Sequence, residues 1–299
     1  MEPGMQNLEV SGTTAAALPS APLGEAKPGT ADPFFSGRKH YPALDGLRAL
    51  AIIGVICLHF GGYLRHAEVA RGGVLALALF KAFRHGAWGV DLFFMLSGYL
   101  ITGILWQSRG QKHCFRNFYA RRTLRIFPLY YGTLFALLVA LPLVLGHVPA
   151  MLSAAYHRQL WLWTYKSNIL IARRGLVLAN FGHFWTLAVE EQFYLIWPLI
   201  LLLIPPGRLL ATTIIAILAV NLLRIIAFSA SPHAAGSPIY EYHYNLTPFR
   251  ADSLLAGALL AMLQFGGRLS QYRRVFAEIF TCTLPITLLF YLGASRGWK

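Results

Sequence analysis

Charged residues are scarce in this sequence. They make up 13% of its 299 residues, whereas 56% of the residues are hydrophobic. A soluble domain of this size carries about twice that share of charge, and several apolar runs are long enough to cross a bilayer as helices of about 20 residues. The composition therefore excludes a soluble globular protein and predicts an all-α fold, a polytopic bundle of transmembrane helices.

Motifs for disulfides, metals and nucleotides are also missing. The three cysteines, Cys57, Cys114 and Cys282, form neither a disulfide framework nor a Cys-x-x-Cys pair, and we interpret them as structural. The sequence contains no His-x-x-x-His, P-loop or Gly-x-Gly-x-x-Gly motif. We therefore expect no metal site and no bound cofactor.

Positive charge, in contrast, is in excess. The 26 lysines and arginines outnumber the 12 acidic residues and give a formal net charge of +14. In a soluble protein this excess would suggest nucleic acid, but here the basic residues cluster at the ends of apolar runs. We therefore expect membrane lipids and a polyanionic small-molecule donor as partners, and no nucleic acid.

Hydropathy predicts seven membrane spans, near residues 46–64, 87–106, 126–146, 184–204, 209–228, 248–265 and 277–295. Two shorter apolar stretches, 72–83 and 159–172, are predicted to be interfacial or re-entrant segments. Residues 1–37 are rich in Gly, Ala, Pro, Ser and Thr, and are predicted to be a disordered tail without a cleavable signal peptide. The remainder, 38–299, is expected to form one transmembrane domain.

The segment between the second and third spans is the most basic part of the chain. Its six basic residues are Arg109, Lys112, Arg116, Arg121, Arg122 and Arg125. Short cytoplasmic loops of membrane proteins carry an excess of lysine and arginine. We therefore predict that this loop, and with it the N-terminus, lies on the cytoplasmic side.

Arg48 and His59 lie eleven residues apart in the first apolar run. On a helix this spacing places both side chains on one face, about 16 Å apart along the axis. Because both are costly inside a membrane, they predict a buried reaction site. A neutral imidazole at mid-depth can take a proton from an alcohol, so His59 is a candidate catalytic base. The alternative is a histidine that only hydrogen-bonds between helices.

Further candidates lie at the first turn of that run and in the next span. Asp45 is predicted to be the N-cap of the first helix or an ion-pair partner of Arg48. Asp91, near the outer end of the second span, requires a partner or a water-filled cavity. Ser97 stands beside Gly98 within a helix, which favours close helix packing over the strand-to-helix elbow of a serine hydrolase.

Arg122 and Arg125 are three residues apart and therefore share a face if the helix has begun. Paired guanidinium groups suit phosphate oxygens, although anchoring to anionic lipid is an alternative use.

The remaining candidate site residues are two adjacent glutamates, and an arginine and an aspartate that are close to each other in the sequence. Glu190 and its neighbour Glu191 point about 100° apart on a helix, so they cannot both face the same partner. Arg250 and Asp252, near the sixth span, either line the cavity or take part in simple ion pairing with other intramembrane charges.

Taken together, these blocks resemble the membrane-bound acyltransferase 3 family over residues 41 to about 262. The blocks are Asp45-Gly-Leu-Arg48…His59, Gly89-Val-Asp91…Ser97-Gly-Tyr-Leu-Ile-Thr102, Arg121-Arg122-x-x-Arg125-Ile-x-Pro128-x-Tyr130-Tyr131, Trp185-x-Leu-x-x-Glu190-Glu-Gln-Phe-Tyr194 and Arg250-x-Asp252. Their order and spacing are specific, although each block alone is modest.

The resemblance implies an O-acyltransferase of the bacterial inner membrane. It would move an acyl group, usually acetyl, from cytoplasmic acyl-CoA to a hydroxyl of a cell-surface or exported carbohydrate or a glycolipid. The family's basic residue and histidine fall on Arg48 and His59, its paired arginines on Arg122 and Arg125, and its carboxylate on Glu190. Acyl-CoA would be a co-substrate, with its phosphates at the arginines. Asp91 or Glu190 would orient the imidazole or bind sugar hydroxyls.

Members of this family generally continue through further spans, so the resemblance also implies a C-terminally incomplete domain. Two other classes remain open from the sequence. A membrane transporter would also place Asp, Glu and Arg within spans, and a catalytically inactive remnant would retain the same blocks.

Overall fold

The computed structural model describes residues 42–68, 88–175, 177–229 and 244–278, together with Thr281. All regular structure in these residues is helical, with no strand. The predicted tail 1–37, the stretch 72–83 and most of the predicted span 277–295 lie outside the described residues.

The helices follow in the order α1 (Pro42–Glu68), α2 (Trp88–Gln107), α3 (Cys114–Phe135), α4 (Leu141–Leu145), α5 (Ala150–Tyr156), α6 (Gln159–Trp163), α7 (Ser167–Arg174), α8 (Phe184–Leu203), α9 (Pro206–Ser229) and α10 (Thr247–Phe265). A π-helical stretch, Ala136–Ala140, joins α3 to α4. Helices suit these apolar runs because each satisfies its own backbone hydrogen bonds, as the bilayer requires.

Among the described residues, five helical stretches are long and apolar enough to cross a membrane: Pro42–His59, Trp88–Gln107, Cys114–Leu145, Phe184–Leu203 and Pro206–Ala227. The predicted second, fourth and fifth spans agree with α2, α8 and α9. The α-helical multi-pass architecture is therefore confirmed. The count of seven is not confirmed but is compatible with the structure. Helix α10 lies at the predicted sixth span but is not among these five stretches, and the last predicted span falls mostly outside the described residues.

The structure gives more detail for two of the predicted segments, the basic loop and the stretch 159–172. The basic loop is largely helical, because α3 begins at Cys114, twelve residues before the predicted span. Arginines are good helix formers and extend their charged ends away from the apolar core. The stretch 159–172 contains the short helices α6 and α7, separated at Lys166, and neither is long enough to span a bilayer.

Helices α2, α8 and α10 run in the same direction. Near the start of α2, the Phe94 ring lies 6.0 Å from that of Trp185 on α8. Near its end, Trp197 Nε1 on α8 donates to Thr102 Oγ1 at 2.8 Å. Helix α10 follows α2 from an Asp91 contact at its start to a packing contact between Gly103 and Phe265 at its end.

Helix α3 runs the other way. Its Tyr130 ring lies 5.3 Å from Phe184 at the start of α8, and its Tyr119 hydroxyl donates to the Leu195 carbonyl at 3.1 Å. Hereafter the end of the bundle where α2, α8 and α10 begin is the His183 end. The opposite end, where α3 begins, is the Arg109 end.

The closest packing in the bundle is between α2 and α10. A Cβ added to Gly98 would overlap the backbone carbonyl of Leu254, and one added to Gly257 would overlap that of Met95. Glycine at both positions lets the two backbones approach closely, as the small residues in the sequence indicated. By contrast, large apolar side chains of α1 and α9 are exposed and suit contact with lipid, among them Ile52, Ile53, Ile56, Leu218 and Ile225.

Candidate functional site

His59 and Arg48 both lie on α1, as the eleven-residue spacing predicted. His59 Nδ1 is 2.8 Å from the backbone oxygen of Val55. A carbonyl oxygen can only accept a hydrogen bond, so in the neutral ring Nδ1 carries the proton. This tautomer leaves Nε2 unprotonated and able to take a proton from a substrate.

His59 lies at the His183 end of the bundle. Its ring is 6.4 Å from the ring of His183 and nearly perpendicular to it, and His183 directly precedes α8. The predicted mid-depth in the membrane stays a prediction, while the place of His59 at this end of the bundle has a structural reason. The reason is the register of α1, whose Ala51 and Val55 pack against Gly89 in the first turn of α2, so that α1 extends past the start of α2.

His183 is the functional candidate that the sequence reasoning missed. The pKa of His183 lies below the ordinary value of 6.5, first because surrounding protein desolvates the ring and second because His59 is close, while a backbone hydrogen bond at Asn180 acts in the opposite direction. The sequence did contain a signal for this residue, because His183 lies just before the Trp185 block. The structure therefore provides a pair of adjacent imidazoles.

The lowered pKa of His183 predicts an acid-sensitive fold. As the pH falls, the unfolded state binds the proton first, so this stabilisation is fully present above pH 6.5 and is lost as the pH falls through the lower folded value. We expect His183→Gln to flatten the decline of the unfolding temperature in detergent below pH 6.5. His147→Gln, an exposed histidine before α5, serves as the control and should not change the slope. Equal slopes for wild type and His183→Gln would contradict the prediction.

Glu190 is buried, with 5% of its surface exposed, in the second turn of α8. Ser97 donates to its Oε1 at 2.5 Å, and the Tyr194 hydroxyl donates to Ser97 Oγ at 3.1 Å. Glu190 follows His183 by seven residues, about 10 Å along the axis. The structure thus places Glu190 with Ser97 and Tyr194 and not beside the His59 ring. Ser97 therefore takes part in hydrogen bonds in addition to its predicted role in helix packing.

Arg122 connects this carboxylate to the basic residues. Its guanidinium lies 5.0 Å from the Tyr194 ring and 5.9 Å from that of Phe118. It is also within electrostatic range of Glu190, Arg125 and Arg48. The three predicted phosphate-binding arginines therefore converge on one side of the bundle, although they come from two different helices.

Asp45 lies beside Arg48, one of these arginines. It lies in the first turn of α1, which is already helical at Pro42, so its predicted role as N-cap is wrong. Its carboxylate is 3.4 Å from Arg48 Nη1, which confirms the alternative prediction of an ion pair.

Ser97→Ala should destabilise the protein because it leaves two buried polar groups, on Glu190 and Tyr194, without their shared partner. A buried group that loses its hydrogen bond costs about 1–3 kcal/mol, so we expect a loss of that size in the free energy of unfolding. Ser153→Ala, a serine-to-alanine change on the short helix α5, is the matched control. Denaturation in detergent provides the measurement, and equal stability of the two variants would show that the Ser97 hydroxyl contributes nothing.

Glu191 lies near a different set of tyrosines from Glu190, although Arg122 is within electrostatic range of both carboxylates. It is within electrostatic range of Tyr130, Tyr131 and Tyr165. Within the described ranges, neither Glu191 Oε1 nor the Tyr165 hydroxyl has a hydrogen-bond partner, although both atoms are buried. Burial, and secondly the charge of Glu191, raises the pKa of Tyr165. Tyr165 lies between two short helices with a left-handed φ of 52°, and no sequence pattern marked it.

Asp91 and Arg250 pair with each other at the His183 end. Arg250 Nη2 is 2.9 Å from Asp91 Oδ1, and Ser253 Oγ donates to the same oxygen at 2.8 Å. The guanidinium of Arg250, which is 8% exposed, is surrounded by aromatic rings at 5.0–5.8 Å, those of Phe94, Trp185 and Tyr244. Asp91 is not buried, because 48% of its side chain is exposed, but it has the basic partner that was expected. Its predicted role toward His59 stays a prediction.

Asp252 also has a basic partner. Asp252 Oδ1 lies 2.8 Å from Arg224 Nη2 on α9. Together with the Asp91 pair, this contact confirms the interpretation of Arg250 and Asp252 as members of ion pairs that connect α2, α9 and α10. Across the described part of the chain, no three His, Cys, Asp or Glu side chains are grouped closely enough to hold a metal ion.

Comparison with known proteins yields one family. The family model described as "Acyltransferase domain" matches residues 41–298. O-acetyltransferase OatA of Staphylococcus aureus is 30% identical over 240 residues, which cover 75% of this chain and 35% of the relative. Putative peptidoglycan O-acetyltransferase YrhL of Bacillus subtilis is 32% identical over 252 residues, with 79% and 35% covered. Peptidoglycan O-acetyltransferase OatA of Listeria monocytogenes is 33% identical over 244 residues, with 78% and 35% covered.

The match covers only part of these relatives, because the aligned region spans about a third of their length. No solved structure matches the chain.

Proposed function

Because the chain belongs to the acyltransferase 3 family, we propose that it transfers an acetyl group from acetyl-CoA to a hydroxyl of a cell-wall carbohydrate. The observation that carries the proposal is the hydrogen bond from His59 Nδ1 to the Val55 carbonyl, which leaves Nε2 free to act as a base. The names of the relatives, which are O-acetyltransferases, support the acetyl group and the hydroxyl acceptor.

The donor side of the proposal rests on the arginines. Acetyl-CoA carries several phosphate charges, and guanidinium groups bind phosphate oxygens through paired hydrogen bonds. Arg48 and Arg125 lie within electrostatic range of Arg122. The phosphates of a polyanionic donor would therefore meet several guanidinium groups in this region.

The reaction follows from the position of the His59 ring. Nε2 removes the proton of the acceptor hydroxyl while the hydroxyl oxygen attacks the thioester carbonyl carbon. The tetrahedral adduct then breaks its carbon–sulfur bond, and the CoA sulfur takes the proton from the imidazolium. Alternatively, Nε2 attacks the thioester itself and CoA leaves as the thiolate, which leaves an acetyl-imidazolium. The acceptor oxygen then attacks the acetyl carbon, the neutral imidazole leaves, and the hydroxyl proton passes to the thiolate. Acetyl-enzyme trapped from labelled donor without acceptor would identify the second route.

The acceptor side of the proposal lies at the His183 end. Sugar rings present hydroxyl groups together with apolar faces, which carboxylates and aromatic rings bind. Tyr131 and Trp163 stack there at 5.7 Å with nearly parallel planes, and Glu191 lies within electrostatic range of Tyr131. Two relatives are named as peptidoglycan O-acetyltransferases, one of them putatively, so a peptidoglycan sugar is the first acceptor to test.

The same proposal assigns the chain to the bacterial inner membrane, with its N-terminus and the Arg109 end in the cytoplasm. Acetyl-CoA is a cytoplasmic metabolite, so the arginines that bind it must be reached from that side. The apolar exposed faces of α1 and α9 support the membrane setting.

The test uses membranes of a bacterium that lacks its own cell-wall O-acetyltransferases and expresses this chain. Incubation with radiolabelled acetyl-CoA should place label on the isolated glycan, and mild alkali should release it as acetate, because the product is an ester. A folded protein that leaves the glycan unlabelled would overturn the proposal. Movement of a ligand without consumption of acetyl-CoA would indicate a transporter.

A further inference from the structure

A cavity of about 420 Å³ opens at the Arg109 end of the bundle. It lies where α2 and α8 end and α3 begins, and its walls include Leu105, Trp106 and Leu201. This volume falls within the range of about 300–1,000 Å³ typical of small-molecule sites. The cavity is separate from the contacts of His59 and Glu190 described above.

The described residues give the cavity a positive charge. Arg109 and Arg116 contribute to its lining beside His113, and none of the described lining residues is acidic. The sequence contains no Asp or Glu between Asp91 and Glu190. An anion in this cavity would therefore meet two arginines without competition from a carboxylate nearby in the sequence.

Arg109 is held in place by the cavity wall. Its guanidinium lies 5.8 Å from the Trp106 ring, and its Nη2 donates to the Leu201 carbonyl at 3.4 Å. Holding the side chain in this way reduces the entropy that anion binding would cost. Arg116 approaches from the first turn of α3, whereas Arg109 lies in the turn that follows α2. A tryptophan ring beside two arginines offers stacking and phosphate contacts in one site.

The cavity lies far from His59 along the bundle. Arg116 precedes Tyr130 on α3 by fourteen residues, about 21 Å along the axis, and Tyr130 contacts Phe184 next to His183. Arg122 lies between the two levels. A ligand that bound the cavity and also reached His59 would therefore need an extended, flexible arm.

We propose that this cavity binds the phosphorylated adenosine end of a coenzyme A thioester, with Arg109 and Arg116 on its phosphates and Trp106 against the adenine. The inference rests on the proposed function for the identity of the donor. Arg109 and Arg116 would take the phosphates of the adenosine end, and the arginines near Glu190 would take the remaining phosphate of the same donor, next to its pantetheine arm. The pantetheine arm would then run along α3 past Arg122 toward His59. The phosphate of an anionic phospholipid would offer the arginines the same chemistry but no adenine.

The test measures binding by titration calorimetry, with the full chain purified in a neutral detergent. Adenosine 3′,5′-bisphosphate is the probe because it has the adenine and phosphates but no thioester. We expect the double variant Arg109→Gln/Arg116→Gln to lower its affinity at least about tenfold, and Trp106→Leu to weaken it as well. Arg173→Gln/Arg174→Gln, a pair of exposed arginines at the end of α7, should leave the affinity unchanged.

Three outcomes would overturn the inference. In the first outcome, the double variant binds the bisphosphate as tightly as wild type. In the second, wild type does not bind the bisphosphate at all. In the third, the arginines serve only to retain phosphatidylglycerol in nanodiscs, and the bisphosphate does not compete with this lipid. Arg109 and Arg116 are exposed, so an unchanged unfolding temperature should accompany the loss of binding.

The same variants separate this inference from the proposed function. Bisphosphate binding in a protein that never transfers acetyl groups would support the cavity and overturn the activity. Acetyl transfer with an unchanged KM for acetyl-CoA in the double variant would support the activity and overturn the cavity.

Discussion

His59→Ala is expected to reduce acetyl transfer from acetyl-CoA by about a hundredfold to ten-thousandfold, the usual contribution of a general base. The change removes Nε2, the free nitrogen opposite the hydrogen bond to the Val55 carbonyl. His59 is exposed and makes this one bond to its own helix, so the variant should fold. Rates of ester formation, measured in membranes at equal protein levels, provide the test.

Two comparisons make this result specific. His157→Ala removes another exposed histidine, after α5, and should keep full activity. Binding of acetyl-CoA to His59→Ala should persist, because the arginines that would hold the phosphates are intact. Undiminished transfer by His59→Ala would exclude both the direct and the acetyl-imidazole routes.

Gly98→Ala is expected to lower the free energy of unfolding by about 3 kcal/mol, the upper part of the range for overpacked cores. The added methyl group would overlap the backbone carbonyl of Leu254, and a backbone atom cannot move aside as a flexible side chain can. Alanine is the better helix former by about 1 kcal/mol. The clash should exceed that gain, so the net effect is destabilising.

Gly132→Ala on α3 provides the matched control, because nothing lies within 4 Å of the added Cβ. This variant should be as stable as wild type or slightly more stable, since only the helix preference changes. Unfolding in increasing denaturant, in the same detergent, compares the two. A Gly98→Ala protein as stable as Gly132→Ala would show that α2 and α10 can separate at no cost.

The sequence predicted relations within one helix well. The shared helix of Arg48 and His59 and the divergence of Glu190 from Glu191 follow from the helical period. Relations between helices were harder, because Ser97 and Glu190 are 93 residues apart in sequence and no pattern records which helices touch.

Two features of the structure go beyond the sequence analysis, each for its own physical reason. Helix α3 begins at Cys114, before the predicted span, because arginines such as Arg116 and Arg121 favour helices. The place of His59 at the His183 end does not follow from hydropathy, which locates an apolar run but not its register against a neighbour. That register depends on Gly89 packing against the α1 backbone, which only the structure shows.

Helix α1 is longer than the hydrocarbon core of a membrane. Its 27 residues span about 40 Å, against a core of about 30 Å. The stretch between Asp45 and Arg65 accounts for about 28 Å of this length, so the excess carries charged residues at both ends. Because His59 is carried by α1 and His183 directly precedes α8, a movement of α1 against α8 would change the spacing of the two rings.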